Sequence, residues 1–133
     1  MENLNDKKKV LIVDDNAGLT TVLVDKLKVS GFDAVSAADG EDGLQKAFSF
    51  HPDIILLDLL MPKMDGMTML GKLREDNWGK NCKVMILSLV EEADYIAKAV
   101  EYNVSGYIIK TDYTLSGVVD QIKIALASSK LKN

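Results

Sequence analysis

Five residues with chemistry to offer each stand directly after a short apolar run. Val10-Leu11-Ile12-Val13 leads into Asp14 and Asp15, Ile54-Ile55-Leu56-Leu57 into Asp58, Val84-Met85-Ile86-Leu87 into Ser88, and Tyr107-Ile108-Ile109 into Lys110. Three carboxylates, a hydroxyl and an ammonium form a set suited to moving a phosphoryl group. A carboxylate can attack phosphorus if a cation offsets the repulsion between anions. A hydroxyl and an ammonium can then hold the phosphoryl oxygens.

Each residue also has a plainer reading. An acidic pair at a strand end invites a hard cation, and magnesium takes oxygen ligands while keeping several waters, so one or two carboxylates suffice. Asp14 or Asp15 could equally cap a following helix. Asp58 fits a nucleophile, or a turn residue that starts the loop toward Pro62. Ser88 and Lys110 would pass for surface residues in isolation. Their joint placement at the ends of four runs favours one site over five coincidences.

The elements that must position them follow from periodicity. Short apolar runs without alternation mark strands buried on both faces, as in a parallel sheet covered by helices. Five such runs are expected: Val10 to Val13, Phe32 to Ser36, Ile54 to Leu57, Lys83 to Leu87, and Tyr107 to Ile109. Between them, Leu19, Val22, Leu23 and Leu27 recur at helical spacing, with Gly31 as the C-cap glycine. Asp39-Gly40 turns into a helix holding Leu44, Ala47 and Phe48, which His51-Pro52-Asp53 breaks. Further helices are expected from Met67 to Asp76 and from Glu92 to Tyr102, the latter with Ala93, Ile96, Ala97 and Val100 as its apolar face and Asn103 as its stop. Leu115, Val118, Val119, Ile122 and Leu126 mark the last. Alternating strands and helices predict an α/β fold, a right-handed doubly wound sheet. In such sheets the ligand crevice lies beyond the carboxyl ends of the strands.

Bulk properties narrow the function. The chain has 133 residues, 47% hydrophobic, enough for one domain with a proper core. Sixteen basic against 20 acidic residues leave a net charge of −4. That balance gives no electrostatic reason to bind nucleic acid or an anionic membrane. Lys7-Lys8-Lys9 solvates the entrance to the first strand. Cys82 is the one cysteine, so neither a disulfide framework nor a zinc cluster is expected. Met1 to Asp6 is polar, unlike a signal peptide, and no apolar run approaches a membrane span, so the expected location is the cytoplasm. His51 has no nucleophile or metal partner nearby in sequence. Met61, Met64, Met67 and Met69 are expected to seal a loop against a helix. Neither a dinucleotide nor a Walker glycine pattern occurs.

The chain resembles the receiver domain of bacterial two-component response regulators, of the chemotaxis-regulator kind, from about Lys8 to Leu126. The resemblance rests on Val13-Asp14-Asp15-Asn16, Ala38-Asp39-Gly40, Pro52 through Asp58, Met61-Pro62-Lys63-Met64-Asp65-Gly66, Ser88, and Gly106 through Lys110. It implies a flavodoxin-like five-stranded sheet in the order 2-1-3-4-5 with helices on both faces. It implies that Asp58 is the phosphoacceptor, taking its group from a histidine kinase or phosphotransfer protein. Asp15, Asp58 and the backbone carbonyl of Leu60 would ligate Mg2+, with Asp14 assisting through water. Ser88 and Lys110 would bind phosphoryl oxygens, and Tyr107 would act with Ser88 as the switch. The face of helix four, strand five and helix five, including Tyr95, Ile96, Tyr102 and Tyr107, would meet an unknown downstream protein or a second copy. The expectation is one receiver domain over residues 1–133, with a core of about 8–127 and no output domain in this chain.

Three features depart from the common family pattern. Thr111 follows Lys110 where proline is usual, often after a cis bond; a cis non-proline bond costs roughly 2.5–4 kcal/mol, so both isomers stay open. Leu89 stands where a small residue is usual. Leu60 and Val90 occupy positions that often carry polar groups influencing dephosphorylation. The sequence therefore predicts a signalling switch that catalyses only its own phosphorylation and dephosphorylation. A pseudo-receiver, acting as a phosphorylation-independent interaction module, is the alternative. A hydrolase of the haloacid-dehalogenase kind would need an aspartate where Leu60 stands.

Overall fold

A computed structural model describes residues 7–128. The polar stretch from Met1 to Asp6 lies outside the described residues. Five strands alternate with five α-helices: β1 Lys9–Val13, α1 Ala17–Val29, β2 Asp33–Ala37, α2 Gly40–Phe50, β3 Ile54–Leu57, α3 Gly66–Glu75, β4 Lys83–Ser88, α4 Ala93–Glu101, β5 Gly106–Ile109 and α5 Leu115–Ser128. The strands form one sheet in the order β2-β1-β3-β4-β5, every neighbouring pair parallel. Among the described residues no helix is long and apolar enough to cross a membrane.

Because side chains alternate across a strand, each continuous apolar run feeds two cores at once. Leu11, Val13, Ile55, Leu57, Val84 and Ile86 pack with Ala47 of α2, Leu70 and Leu73 of α3, and Ala99 of α4. Val10, Ile12, Ile54, Leu56, Met85 and Leu87 pack with Leu23 and Leu27 of α1 and Val118, Val119 and Ile122 of α5. Burial on both faces therefore dictates non-alternating strands. The methionines close the loop after β3 as expected: Met67 and Met69 are buried, and Met61 and Met64 pack against the same core.

Two helical faces differ from the sequence expectation. Val22 is exposed, and the buried stripe of α1 runs through Thr20, Leu23 and Leu27; Val22 lies about 100° around the helix from Leu23. In α4 the expected face of Ala93, Ile96, Ala97 and Val100 is largely in solvent, with only Ile96 partly covered and Val100 62% exposed. Its one buried residue is Ala99, flanked on the same side by Ile96 and the half-buried Tyr102. The helix sits over one end of the sheet, where a short side chain at the contact brings it close and most of its surface stays in water.

Helix starts set the loops that carry the site. Asn16, Asp39 and Asp65 cap α1, α2 and α3, accepting from the backbone N–H groups of Leu19, Asp42 and Thr68; such caps contribute typically about 1 kcal/mol each. The Gly40 N–H donates to the Met64 carbonyl at 3.0 Å, tying the loop after β3 to the start of α2. Gly31 and Asn103 take positive φ at or just beyond the ends of α1 and α4, as anticipated, and His51 ends α2 in the same left-handed region. A closer constraint falls on Gly66. Its N–H donates to the Leu59 carbonyl at 3.0 Å, and a Cβ there would collide with the backbone carbonyl of Asp58. Gly66→Ala should therefore destabilise the protein by about 1–3 kcal/mol, as overpacking does, rather than add the ~1 kcal/mol that alanine usually brings to a helix. Urea unfolding measures the sign directly.

Candidate functional site

Parallel pairing brings the ends of β1, β3, β4 and β5 to one edge. Val13 lies opposite both Ala37 and Leu57, Leu57 opposite Ile86, and Ser88 opposite Ile109. The backbone continues the ladder one step further: Asp14 donates to the Ala37 carbonyl at 3.0 Å and Asp58 to the Val13 carbonyl at 2.9 Å. The strand ladder thus fixes where the two carboxylates leave the sheet.

Asp14, Asp15 and Asp58 each present a carboxylate oxygen, all within 4.8 Å of one another. Asp14 and Asp58 are buried and Asp15 is exposed. The Lys110 ammonium reaches across the edge to both buried acids, 2.8 Å from Asp14 Oδ2 and 3.4 Å from Asp58 Oδ2. All four charged residues expected from the sequence thus lie together. Asp14 and Asp15 do not cap α1; Asn16 does, and Asp14 Oδ1 accepts from the Asn16 backbone N–H at 2.9 Å. Asn16 and Gly66 are the structural residues that the sequence reading passed over as positioning groups. The signal for Asn16 was its place three residues before Leu19, at the start of the helical period.

Three carboxylates facing one ammonium leave the cluster with excess negative charge. Burial, and then the charge of Asp14, raise the Asp58 pKa above the usual aspartate value. Lys110, the Ser88 hydroxyl and the Leu60 N–H pull the other way without cancelling this. Burial opposes the charge on Lys110, but hydrogen bonding and attraction to Asp14, with a further share from Asp58, more than offset it and hold its pKa above the usual lysine value. The donor set is all oxygen, anionic and closely spaced. It fits a hard divalent cation, and in chemistry it is the set magnesium uses.

The remaining expected residues fall at the rim. Ser88 is fully buried, and its Oγ accepts from the Val90 N–H at 3.3 Å. The Tyr107 hydroxyl donates to the Val90 carbonyl at 2.6 Å, so Val90 is held from two sides. The Val90 side chain is 6% exposed and belongs to the core, so it does not face the approach to Asp58. Leu60 and Leu89 are 53% and 57% exposed; the Leu60 N–H points back to Asp58 Oδ1 at 3.4 Å. Residues Lys110–Asp112 form a 3-10 turn, and the described residues contain no cis peptide bond, so Lys110–Thr111 is trans.

These electrostatics carry a pH-dependent outcome. An aspartate whose folded pKa is raised stabilises the fold below its unfolded pKa and loses that contribution as pH rises through the folded pKa. Without divalent cation, Asp58→Asn should therefore melt higher than the unmutated protein at pH 7, by roughly 2–4 °C or more per kcal/mol released. The difference should shrink as pH falls toward the ordinary aspartate range. Thermal melts across pH, with a chelator present, give the comparison.

Known proteins resemble this chain. Residues 10–119 match the family model described as the response regulator receiver domain. The chain is 36% identical over 105 residues to the chemotaxis protein CheY of Treponema pallidum, covering 77% of this chain and 72% of that one. It is 31% identical over 132 residues to the alkaline phosphatase synthesis transcriptional regulatory protein PhoP of Bacillus subtilis, covering 95% of this chain and 54% of that protein. The chain spans about half the length of several curated relatives it matches. Among solved structures, a chain of the CheX-CheY-BeF3-Mg+2 complex from Borrelia burgdorferi superposes with a TM-score of 0.80 at 28% identity, covering 95% of this chain and 90% of that one. Taken with the sheet order and the acid cluster at its edge, these matches establish that the chain belongs to the receiver domain family of two-component response regulators.

Proposed function

We propose that this chain is a phosphorylation-controlled switch in which Asp58 accepts a phosphoryl group from the phosphohistidine of a sensor kinase or phosphotransfer protein. The observation that carries the reading is the meeting of Asp14, Asp15 and Asp58 with the Lys110 ammonium at one sheet edge. Asp15, Asp58 and the Leu60 carbonyl would hold Mg2+, with Asp14 acting through water. When bound, the ion supplies the positive charge that lets a carboxylate approach an anionic phosphoryl group. The solved complex from Borrelia burgdorferi, which includes BeF3 and magnesium by name, supports the same reading.

The protein's own residues divide the work. An Asp58 oxygen forms the new bond to phosphorus as the bond from phosphorus to the donor histidine nitrogen breaks. Lys110 is already in place, and moving its hydrogen bonds from carboxylate to phosphoryl oxygen requires little displacement. Ser88 has a hydroxyl that accepts from Val90 and lies against Asp58, where its donor can pass from the carboxylate to a phosphoryl oxygen. Turning it toward the phosphoryl group loosens the Val90 N–H, and Tyr107 holds the carbonyl of the same residue. Those two bonds connect the site to the β4–α4 loop, and through it to the face of α4, β5 and α5, which is the proposed surface for a downstream protein or a second copy. We read residues 1–133 as one receiver domain that catalyses only its own phosphorylation and dephosphorylation, with an output through protein contact rather than nucleic acid.

Beryllofluoride with magnesium, followed by amide spectra, tests the switch. Shifts are expected at Ser88, Val90, Tyr107 and α4; shifts confined to the loop after Asp58 would contradict it. Magnesium alone should raise the melting temperature, by the equivalent of about 1.4 kcal/mol at ten times the Kd, and Asp15→Asn should remove that gain.

The rim predicts the lifetime of the signal. Hydrolysis needs a water aligned for in-line attack, and positioning is much of what catalysis of this transfer offers. Leu60, exposed beside Asp58, has no side-chain group to hold that water, and Val90 is turned into the core. Phospho-Asp58 should be long-lived for its family, and Leu60→Asn should shorten its life several-fold without abolishing phosphorylation. Decay of radiolabelled phosphoprotein after removal of the donor measures this. Loss within seconds in the unmutated protein, or slower loss in the variant, is the contrary result.

A further inference from the structure

Arg74, near the end of α3, makes no ion pair among the described residues, yet its guanidinium donates four hydrogen bonds. Nε donates to the Tyr102 carbonyl at 2.7 Å, one terminal nitrogen to the Gly79 and Cys82 carbonyls at 2.7 Å each, and the other to the Asn103 carbonyl at 3.3 Å. Tyr102 and Asn103 immediately follow α4, where backbone carbonyls lack helical partners and the helix dipole is negative, so a fixed cation there is favourable. Gly71, one turn earlier in α3, completes the contact. A Cβ built on it would lie 3.1 Å from the Tyr102 hydroxyl, so the ring lies close against α3 at that point.

The other end of α4 is held differently. Its N-cap residue, Glu92, makes no side-chain cap. From Ala93 to Lys98 no residue is buried; Ile96 is partly covered and Tyr95 is 42% exposed. A groove of ≈ 620 Å³ runs between α3 and α4, lined by Leu60, Thr68, Asp94 and Tyr95 and, toward the other end of the helix, by Gly71 and Tyr102. The preceding loop is held through Val90, by the Ser88 and Tyr107 bonds already described. One end of the helix is bolted to α3 through Arg74, and the other has no side-chain cap and hangs on the loop that answers to the site.

We infer that Arg74 and Gly71 fix the C-terminal end of α4 to α3 as a pivot, so that rearrangement at Val90 is delivered as a swing of the helix's N-terminal half. Arg74 is a positioning residue in this account, acting through Tyr102 and Asn103. The swing rests on the reading of Asp58 as phosphoacceptor; the bolt does not. Four divergent carbonyls need the guanidinium fork, which a lysine cannot supply.

Amide hydrogen exchange on the full chain separates these parts. Without any phosphoryl mimic, Arg74→Gln and Arg74→Lys should both speed exchange in α4 and at Tyr102 and Asn103 by roughly tenfold relative to α1 and α5. Gly71→Ala, a milder change that displaces the Tyr102 ring, should act in the same place to a smaller extent and guards against an Arg74 variant that does not fold. A rise spread evenly over all helices, or none, overturns the bolt. With beryllofluoride and magnesium, the unmutated protein should change most at Glu91 to Ile96 and least at Ala99 to Asn103, and Arg74→Gln should extend the change to Ala99 to Asn103. A largest change at Tyr102 and Asn103 in the unmutated protein overturns the swing. If beryllofluoride changes nothing in the unmutated protein, the phosphoacceptor reading and the swing fail together, and the bolt is judged on the first comparison.

Discussion

The charge balance between Lys110 and the paired acids Asp14 and Asp58 is the interaction on which the rest depends. One ammonium at 2.8 and 3.4 Å from two buried carboxylates keeps an acidic cluster tolerable inside a folded protein. Breaking a buried pair by removing one partner leaves uncompensated charge and is strongly destabilising. Yet the compensation is incomplete: burial first, and then the charge of Asp14, keep Asp58 harder to ionise than an ordinary aspartate. On the proposed reading, a site left short of positive charge would take a dication, and a lysine already shared between two acids would transfer its hydrogen bonds to a third anion. The same frustration that weakens the resting fold prepares the site for its chemistry.

The sheet converts this local balance into fixed geometry. Parallel register places Val13, Leu57, Ser88 and Ile109 at neighbouring strand ends, and two cores grip the strands from opposite faces. The acids leave a rigid edge rather than a loop. The parts expected to move lie where packing is thin: α4, with Ala99 its one buried residue, and the exposed Leu89 in the loop before it. Rigidity at the carboxylates and looseness at α4 are complementary, because a charge added at Asp58 can do work only where the structure yields.

Much of this was legible in the sequence, and the reasons differ by element. The strands were clear because burial on both faces leaves unbroken apolar runs, and the clustered polar residues because four of the five runs end on one. Glycine and asparagine in the left-handed region marked the ends of α1 and α4. The face of α4 was misread because alanine and valine carry a hydrophobic signal whether or not anything covers them; of this helix and its cap, Ala99 and Tyr102 meet the core. Val90 was placed by its distance from Ser88, but sequence distance does not say which way a side chain turns. The bonds of Arg74 to the Tyr102 and Asn103 carbonyls join residues 28 and 29 apart, which no local pattern encodes.

The most direct measurement is intact-mass spectrometry of the protein after exposure to acetyl phosphate, followed by peptide mapping of any adduct. The account predicts one phosphoryl group, on Asp58, formed with magnesium and suppressed by a chelator, and absent in Asp58→Asn. Modification at another residue, or an unmodified Asp58 despite magnesium and donor in excess, would contradict it.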